Sequence, residues 1–225
     1  MGTDDLFRKR QAKSVKKLDR NQSKRAPYEK VLIVCEGKKS EPNYFNSLRD
    51  HYRLNTANVE VCGSMCGSNP MRIVSHAKER YEEDAAAGNA FDRVYCVFDK
   101  DTHADYEKAV AKIRDMKPEK TYFAITSVPC FEYWLLLHFT FTTRPYSPLP
   151  GNSACNQVFT ELKKHIPKYE KGSKAMFPLL INQLTVAKDR AARAMKSAKK
   201  NGTDNPSTDV HQLVDFLQNI ALPQR

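Results

Sequence analysis

The stretch VYCVFDKDTH, residues 94–103, runs five largely apolar residues into two aspartates separated by one lysine. Val94, Tyr95, Cys96, Val97 and Phe98 are mostly β-branched or aromatic, and a short unbroken run of that kind reads as a strand buried on both faces. Such strands belong to parallel sheets. In an extended backbone side chains two apart point the same way, so Asp99 and Asp101 are expected to project from one side of the strand's carboxyl end. Carboxylates that close repel unless one is protonated or a cation lies between them. The plainer alternative is a solvated loop in which Asp101 or Thr102 caps a helix starting near His103.

On both sides of this run strands alternate with helices. KVLIVCEG (30–37) reads as a buried strand stopped at Gly37, whose freedom lets the backbone turn tightly. SEPNYFNSLRDHY (40–52) follows as a helix, with Ser40 as cap, Pro42 in the first turn and Phe45, Leu48 and Tyr52 at helical spacing. ANVEVCG (57–63) reads as a short strand and 68–87 as a helix with an early proline, ended by Gly88. A helix over about 103–116, a strand over 120–127 and a helix over 130–139 complete the alternation. This order predicts an α/β fold with a mainly parallel sheet flanked by helices. TRPYSPLPGNS breaks all periodicity, and helical stretches follow at about 153–166, 175–200 and 207–221. The expected organisation is a basic disordered arm over 1–27, an α/β core over 28–142, and a connector with a C-terminal helical region over 143–225.

The net charge of +11 is unevenly spread. Residues 1–25 carry nine Lys or Arg against three Asp with few large apolar residues, which reads as a solvated arm. Residues 161–200 carry eleven basic residues against three acids on a helical pattern. Basic ends around a more acidic middle suit a polyanion lying across an acidic metal site, although a Lys-rich helix is also an ordinary solvated face. The apolar stretches fall short of the roughly 20 residues of a membrane span, and MGTDDLFRKR lacks a signal-peptide core, so a cytoplasmic protein with no membrane contact is expected. Six scattered cysteines, with Cys62 and Cys66 as a lone C-x-x-x-C, read as reduced thiols rather than a zinc site.

In a parallel sheet ligands gather outside the carboxyl ends of the strands. That rule selects Glu36 after the first strand, Asp99 and Asp101 after the third, and Glu132 just beyond the fourth. Glu41, in the first turn of the next helix, can join them. Oxygen donors without a histidine and cysteine set favour Mg²⁺ or Mn²⁺, one or two ions of the kind that phosphoryl-transfer sites use. Lys38 and Lys39 are placed to meet a phosphate. Lys171, Lys174, Lys188, Arg190, Arg193 and Lys196 are candidate nucleic-acid contacts. Tyr169, Lys171, Lys174 and His211 are candidates to supply a cation or proton donor, and sequence does not rank them. Trp134 and Leu135 to Leu137 read as packing, His138 as a helix histidine and His103 as a bystander.

VCEG with EPNYF, then VFDKD, FEYWLLLHF and NPSTDVHQLV together resemble the RloB-like family, over about residues 28–221. The core of that family resembles the Toprim domain of topoisomerases, primases and OLD-family nucleases. The resemblance maps Glu36, Asp99 and Asp101 onto the acidic positions that bind divalent metal, with Glu132 a carry-over to a further acid of nuclease relatives. It implies a metal-dependent nuclease acting on DNA or RNA, an ABC/AAA-type ATPase partner encoded alongside, and an antiphage, abortive-infection role. Lys38 and Lys39 depart from the second glutamate that many members carry after the Glu-Gly pair.

Two other readings compete. VFDKDT also fits the haloacid-dehalogenase pattern, with Asp99 as a covalent nucleophile, but that motif closes a first core strand and here at least two strands precede it. The third reading is a non-catalytic nucleic-acid-binding subunit that docks the ATPase to its target.

Overall fold

Val31–Cys35, the first strand (β1), is buried at every position, which only a strand covered on both faces achieves. The computed structural model describes residues 29–54, 58–63, 69–100 and 103–220. The expected arm and Asp101 therefore lie outside the described residues. The elements that follow β1 are helix α1 (Ser40–His51), strand β2 (Val59–Cys62), helix α2 (Pro70–Ala86), strand β3 (Arg93–Asp99), helix α3 (Tyr106–Asp115), strand β4 (Tyr122–Val128) and helix α4 (Glu132–Leu136). Helices α5 (Ala154–His165), α6 (Met176–Leu180) and α7 (Leu184–Lys200), strand β5 (Ser207–Thr208) and helix α8 (Val210–Ile220) complete the order.

The sheet runs β2-β1-β3-β4-β5. The first four strands are parallel and β5 alone is antiparallel, so the expected α/β class with a mainly parallel sheet is what the chain adopts. Side chains along each strand alternate between two cores. Val31, Ile33, Cys35, Tyr95 and Val97 face one core with α1, α4 and the later helices, while Leu32, Val34, Val94, Cys96 and Phe98 face another with α2 and α3. From β1 the chain steps outward to β2 and then returns to the other side of β1 with β3. The order of strands thus reverses between β1 and β3, and a crevice opens at their carboxyl ends.

Four local expectations are corrected. Lys39, not Ser40, holds the N-cap position of α1, and the Ser40 hydroxyl accepts a hydrogen bond from the Gly172 N–H at 3.0 Å instead. The stretch 175–200 divides into α6, a 3₁₀ turn over Ile181–Gln183 and α7. Ser207 and Thr208 are not helical: they pair with Val128 and Ser127, and α8 begins only at Val210. The segment 130–139 is helical by α-geometry over five residues only. Asn69 caps α2 by accepting from the Met71 N–H, and Ser153 caps α5 by accepting from the Asn156 N–H.

Candidate metal and phosphate site

Glu36 follows β1 directly, Asp99 ends β3, and the two strands are neighbours in register, Cys35 opposite Val97. The Asp99 N–H donates to Glu36 Oε2 at 3.0 Å, which ties the two acids across the reversal point. Asp99 shares the strand face of Tyr95 and Val97 and so turns toward α1 and α4. Lys100 turns the other way, to Asp204 Oδ2 at 2.5 Å and Glu107 Oε1 at 3.2 Å. From α1, Glu41 lies buried in the first turn; from the start of α4, Glu132 is buried too. These four acids line one cavity of about 520 Å³ together with Gly37, Lys38, Lys39, Ser40 and Lys171.

Gly37 lies in the bend over 36–39, and it has a second reason to be glycine. A Cβ built on it would lie 1.7 Å from Glu41 Oε2, so the glycine makes room for a carboxylate.

Burial is the main reason the Glu41 carboxyl is pushed up to about 7, and the charges of Glu132 and Glu36 add to it; its own backbone N–H and Lys171 oppose the shift. Asp99 is raised well above the ordinary carboxylate range for the same reason, desolvation first and then Glu41, Glu132 and Glu36, against the Phe131 N–H that hydrogen-bonds its charged form. Burial, reinforced by the neighbouring carboxylates, thus favours the protonated forms of Glu41 and Asp99.

Two nitrogen-bearing side chains reach in. His103 Nε2 lies 2.8 Å from Glu36 Oε1. Lys171 Nζ lies 3.4 Å from Glu132 Oε1, the same oxygen that accepts from the buried Tyr169 hydroxyl at 3.2 Å. Partial burial works against the Lys171 charge, but Glu132, with smaller contributions from Cys130 and Cys155, raises its pKa on balance.

Among the described residues no three acids, histidines or cysteines already stand as a metal-holding group. The donor chemistry nevertheless fits a hard cation. The pocket offers carboxylate oxygens from β1, α1, β3 and α4, and their mutual repulsion is what a divalent ion would relieve.

The basic candidates separate. Lys38, Lys39 and Lys171 line the cavity, whereas Lys174 is exposed beyond it. On α7, Lys188 is bound to Asp215 Oδ1 and Gln218 Oε1, both at 2.6 Å, and Arg190 Nη1 donates to the Leu137 carbonyl at 2.8 Å, at the end of α4. Arg193 sits 4.4 Å over the Phe141 ring and 3.5 Å from Asp189, and Lys196 is exposed. None of these four lines the acid pocket. His211 is bonded at Nδ1 to the Thr208 carbonyl at 3.0 Å, also away from the lining.

Sequence reasoning treated His103 as a bystander and could not rank Tyr169 and Lys171. Their placement depends on tertiary contacts, those of Tyr169 and Lys171 made from a segment more than thirty residues beyond Glu132, for which no local pattern exists.

The family model described as RloB-like protein matches residues 31–217. Neither a curated protein nor a solved structure matches the chain. Among the described residues no helix is long and apolar enough to cross a membrane.

Proposed function

The chain belongs to the RloB-like protein family, and on that premise we propose that it is a Toprim-like nuclease that cleaves phosphodiester bonds of DNA or RNA with Mg²⁺ or Mn²⁺. One observation carries this reading: four carboxylates from two strand ends and two helices meet in one cavity whose rim holds three lysines. Acids beneath and ammonium groups above are what a phosphodiester and its cation require together.

Glu36 and Asp99, with Asp101, are the residues that would hold the ion, Glu132 and Glu41 adding carboxylate oxygens from the two helices. A bound Mg²⁺ or Mn²⁺ would polarise the phosphoryl oxygen and make a coordinated water nucleophilic near neutral pH. Lys38, Lys39 and Lys171 hold the phosphates of the strand at the rim. His103 fixes the Glu36 carboxylate through Oε1 while the Asp99 N–H fixes Oε2, so Glu36 is oriented from both sides. Tyr169 does the same for Glu132 from within the core. Asp99 here is one of several converging acids, which supports the nuclease over a phosphatase built on a single aspartate nucleophile. By family resemblance, the protein acts as the effector of a bacterial antiphage system beside an ATPase of the ABC/AAA type.

The test is incubation of the purified protein with labelled tRNA, single-stranded DNA and plasmid, each with and without Mg²⁺ or Mn²⁺, and with p-nitrophenyl phosphate in parallel. Cleavage of at least one polynucleotide only with metal, and no turnover of the small ester, is expected. Turnover of the small ester with a trapped phosphate adduct on Asp99 would overturn the reading in favour of the phosphatase. Binding without cleavage, in the presence and absence of the ATPase, would leave the docking subunit.

A further inference from the structure

Residues 167–174, between α5 and α6, form a strap that reaches the acid pocket through Lys171. Its backbone is pinned to α1. The Gly172 N–H donates to Ser40 Oγ at 3.0 Å, Asn43 Nδ2 donates to the Gly172 carbonyl at 2.6 Å, and Ser47 Oγ donates to the Lys174 carbonyl at 3.2 Å. Gly172 itself has φ +84°, and a Cβ there would stand 2.5 Å from the Lys39 Cβ, so only glycine lets the strap lie this close.

The strap presents two side chains to one carboxylate oxygen, and they differ in kind. Tyr169 is 1% exposed and enters from the core. The Lys171 side chain is 63% exposed, with only its ammonium end drawn onto Glu132, whose side chain is 3% exposed. Tyr169 is locked, whereas Lys171 can swing through solvent about its own stem without moving the pinned backbone. Lys38 and Lys39 stand on the same rim.

We propose that Lys171 is a parked cation that couples the two ligands of this site. With the pocket empty of metal it neutralises Glu132. A divalent cation takes over that carboxylate, and the released ammonium joins Lys38 and Lys39 on a phosphate of the polynucleotide. Tyr169 keeps Glu132 in place while the exchange occurs. This inference rests on the nuclease reading and adds a regulation to it: metal and strand bind with positive cooperativity because one lysine serves both.

The consequence is reciprocal. Lys171 competes with the metal when no strand is present and assists the strand when metal is present, so each ligand tightens the other by the same factor, roughly five- to tenfold. Lys171→Met should behave oppositely to the loss of an ordinary rim charge. It should tighten Mn²⁺ alone by more than Lys38→Met does, and it should erase the coupling, whereas Lys38→Met should weaken the strand and keep the coupling.

The experiment is titration of Mn²⁺ followed by the electron paramagnetic resonance signal of the free ion. It is run on wild type, Lys171→Met and Lys38→Met, with and without a saturating phosphorothioate single strand of DNA or of RNA. Melting curves confirm that each variant is folded. Glu132→Gln is a second arm: it frees Lys171 while leaving Tyr169 a partner, and strand affinity without metal should rise. The proposal is overturned if Lys171→Met keeps the wild-type coupling, or if its Mn²⁺ affinity is unchanged or lower. Wild type that binds Mn²⁺ and strand independently overturns the coupling and leaves the nuclease reading standing. Wild type that binds no Mn²⁺ overturns both.

Discussion

Glu132 and His138 stand six residues apart, each 2% exposed, at the two ends of one short helical segment, and they are buried on opposite terms. His138 has Nδ1 against the Trp134 carbonyl at 3.1 Å, its ring edge-on to Trp134 at 4.8 Å, and an Nε2 without a hydrogen-bond partner among the described residues. Burial drives its pKa down to about 4, so it sheds its charge and lies neutral among apolar rings. Glu132 keeps company with Glu41, Asp99 and Glu36, and its charge adds to the upward push that burial gives Glu41 and Asp99. A core satisfies a buried titratable group by neutralising it alone. Gathering four acids in one place serves stability poorly, and the excess is the mark of a site built for something added to it.

The sharpest way to break this contrast is to remove single charges from the pocket. Glu36→Gln or Asp99→Asn should abolish metal-dependent cleavage, and without metal should leave the melting temperature unchanged or slightly higher, because one repelling carboxylate is gone. Full cleavage by both variants would remove these acids from the site.

Gly37→Ala tests the pocket by shape alone. The added methyl would meet Glu41 Oε2, so the carboxylate must shift. A displacement near 1 Å at a reacting centre costs on the order of 100-fold in rate, and a ten- to hundredfold fall in cleavage (roughly, by the same argument) is expected with little change in fold. An unchanged rate would mean that Glu41 stands outside the reaction.

The two regions also predict opposite pH dependences of stability. Glu41, raised from an ordinary 4.5 to about 7, contributes stability that is present below pH 4.5 and is lost as pH rises through 7; Asp99 acts in the same sense. His138, lowered from 6.5 to about 4, contributes stability that is present above pH 6.5 and is lost as pH falls through 4. Glu41 and His138 are each worth roughly 3 kcal/mol across their windows, so in metal-free protein they oppose one another between pH 4.5 and 6.5, with Asp99 on the side of Glu41. Relative to wild type, Glu41→Gln should tilt the curve upward with pH over that range, and His138→Leu should tilt it downward. Urea unfolding at several pH values measures both, and parallel curves for the two variants would refute the assignment.

The smallest effect is expected on α7. Lys188→Met breaks one ion pair and one further hydrogen bond to α8 at a partly exposed position, a change worth about 1 kcal/mol or less, and should leave cleavage as it is. A loss of cleavage well beyond that stability change would bring α7 onto the path of the strand.

These contrasts also mark where the sequence stops being legible. β1 and β3 were readable because a strand covered on both faces is an unbroken apolar run, and the rule that ligands gather at strand ends then pointed to Glu36, Asp99 and Glu132 without any contact being known. Ser207 and Thr208 carry no such signal, since two residues cannot display a period and their pairing with β4 is decided by tertiary packing. Gly37 was legible as special but not for its second reason, because that reason is a side chain four residues on that folds back over it. The α7 cations looked like a nucleic-acid face, yet Lys188 and Arg190 serve α8 and the end of α4. Charge is visible in a sequence, while its partners are not.

The account rests on the claim that the crowded acids are a divalent-cation centre. The most direct measurement is isothermal calorimetry of Mn²⁺ into metal-free wild type and Asp99→Asn at pH 8, where the wild-type carboxylates can ionise. Saturable binding to wild type that is lost in Asp99→Asn is the predicted result. Wild type that takes up no Mn²⁺, or Asp99→Asn that takes it up equally, would contradict the claim.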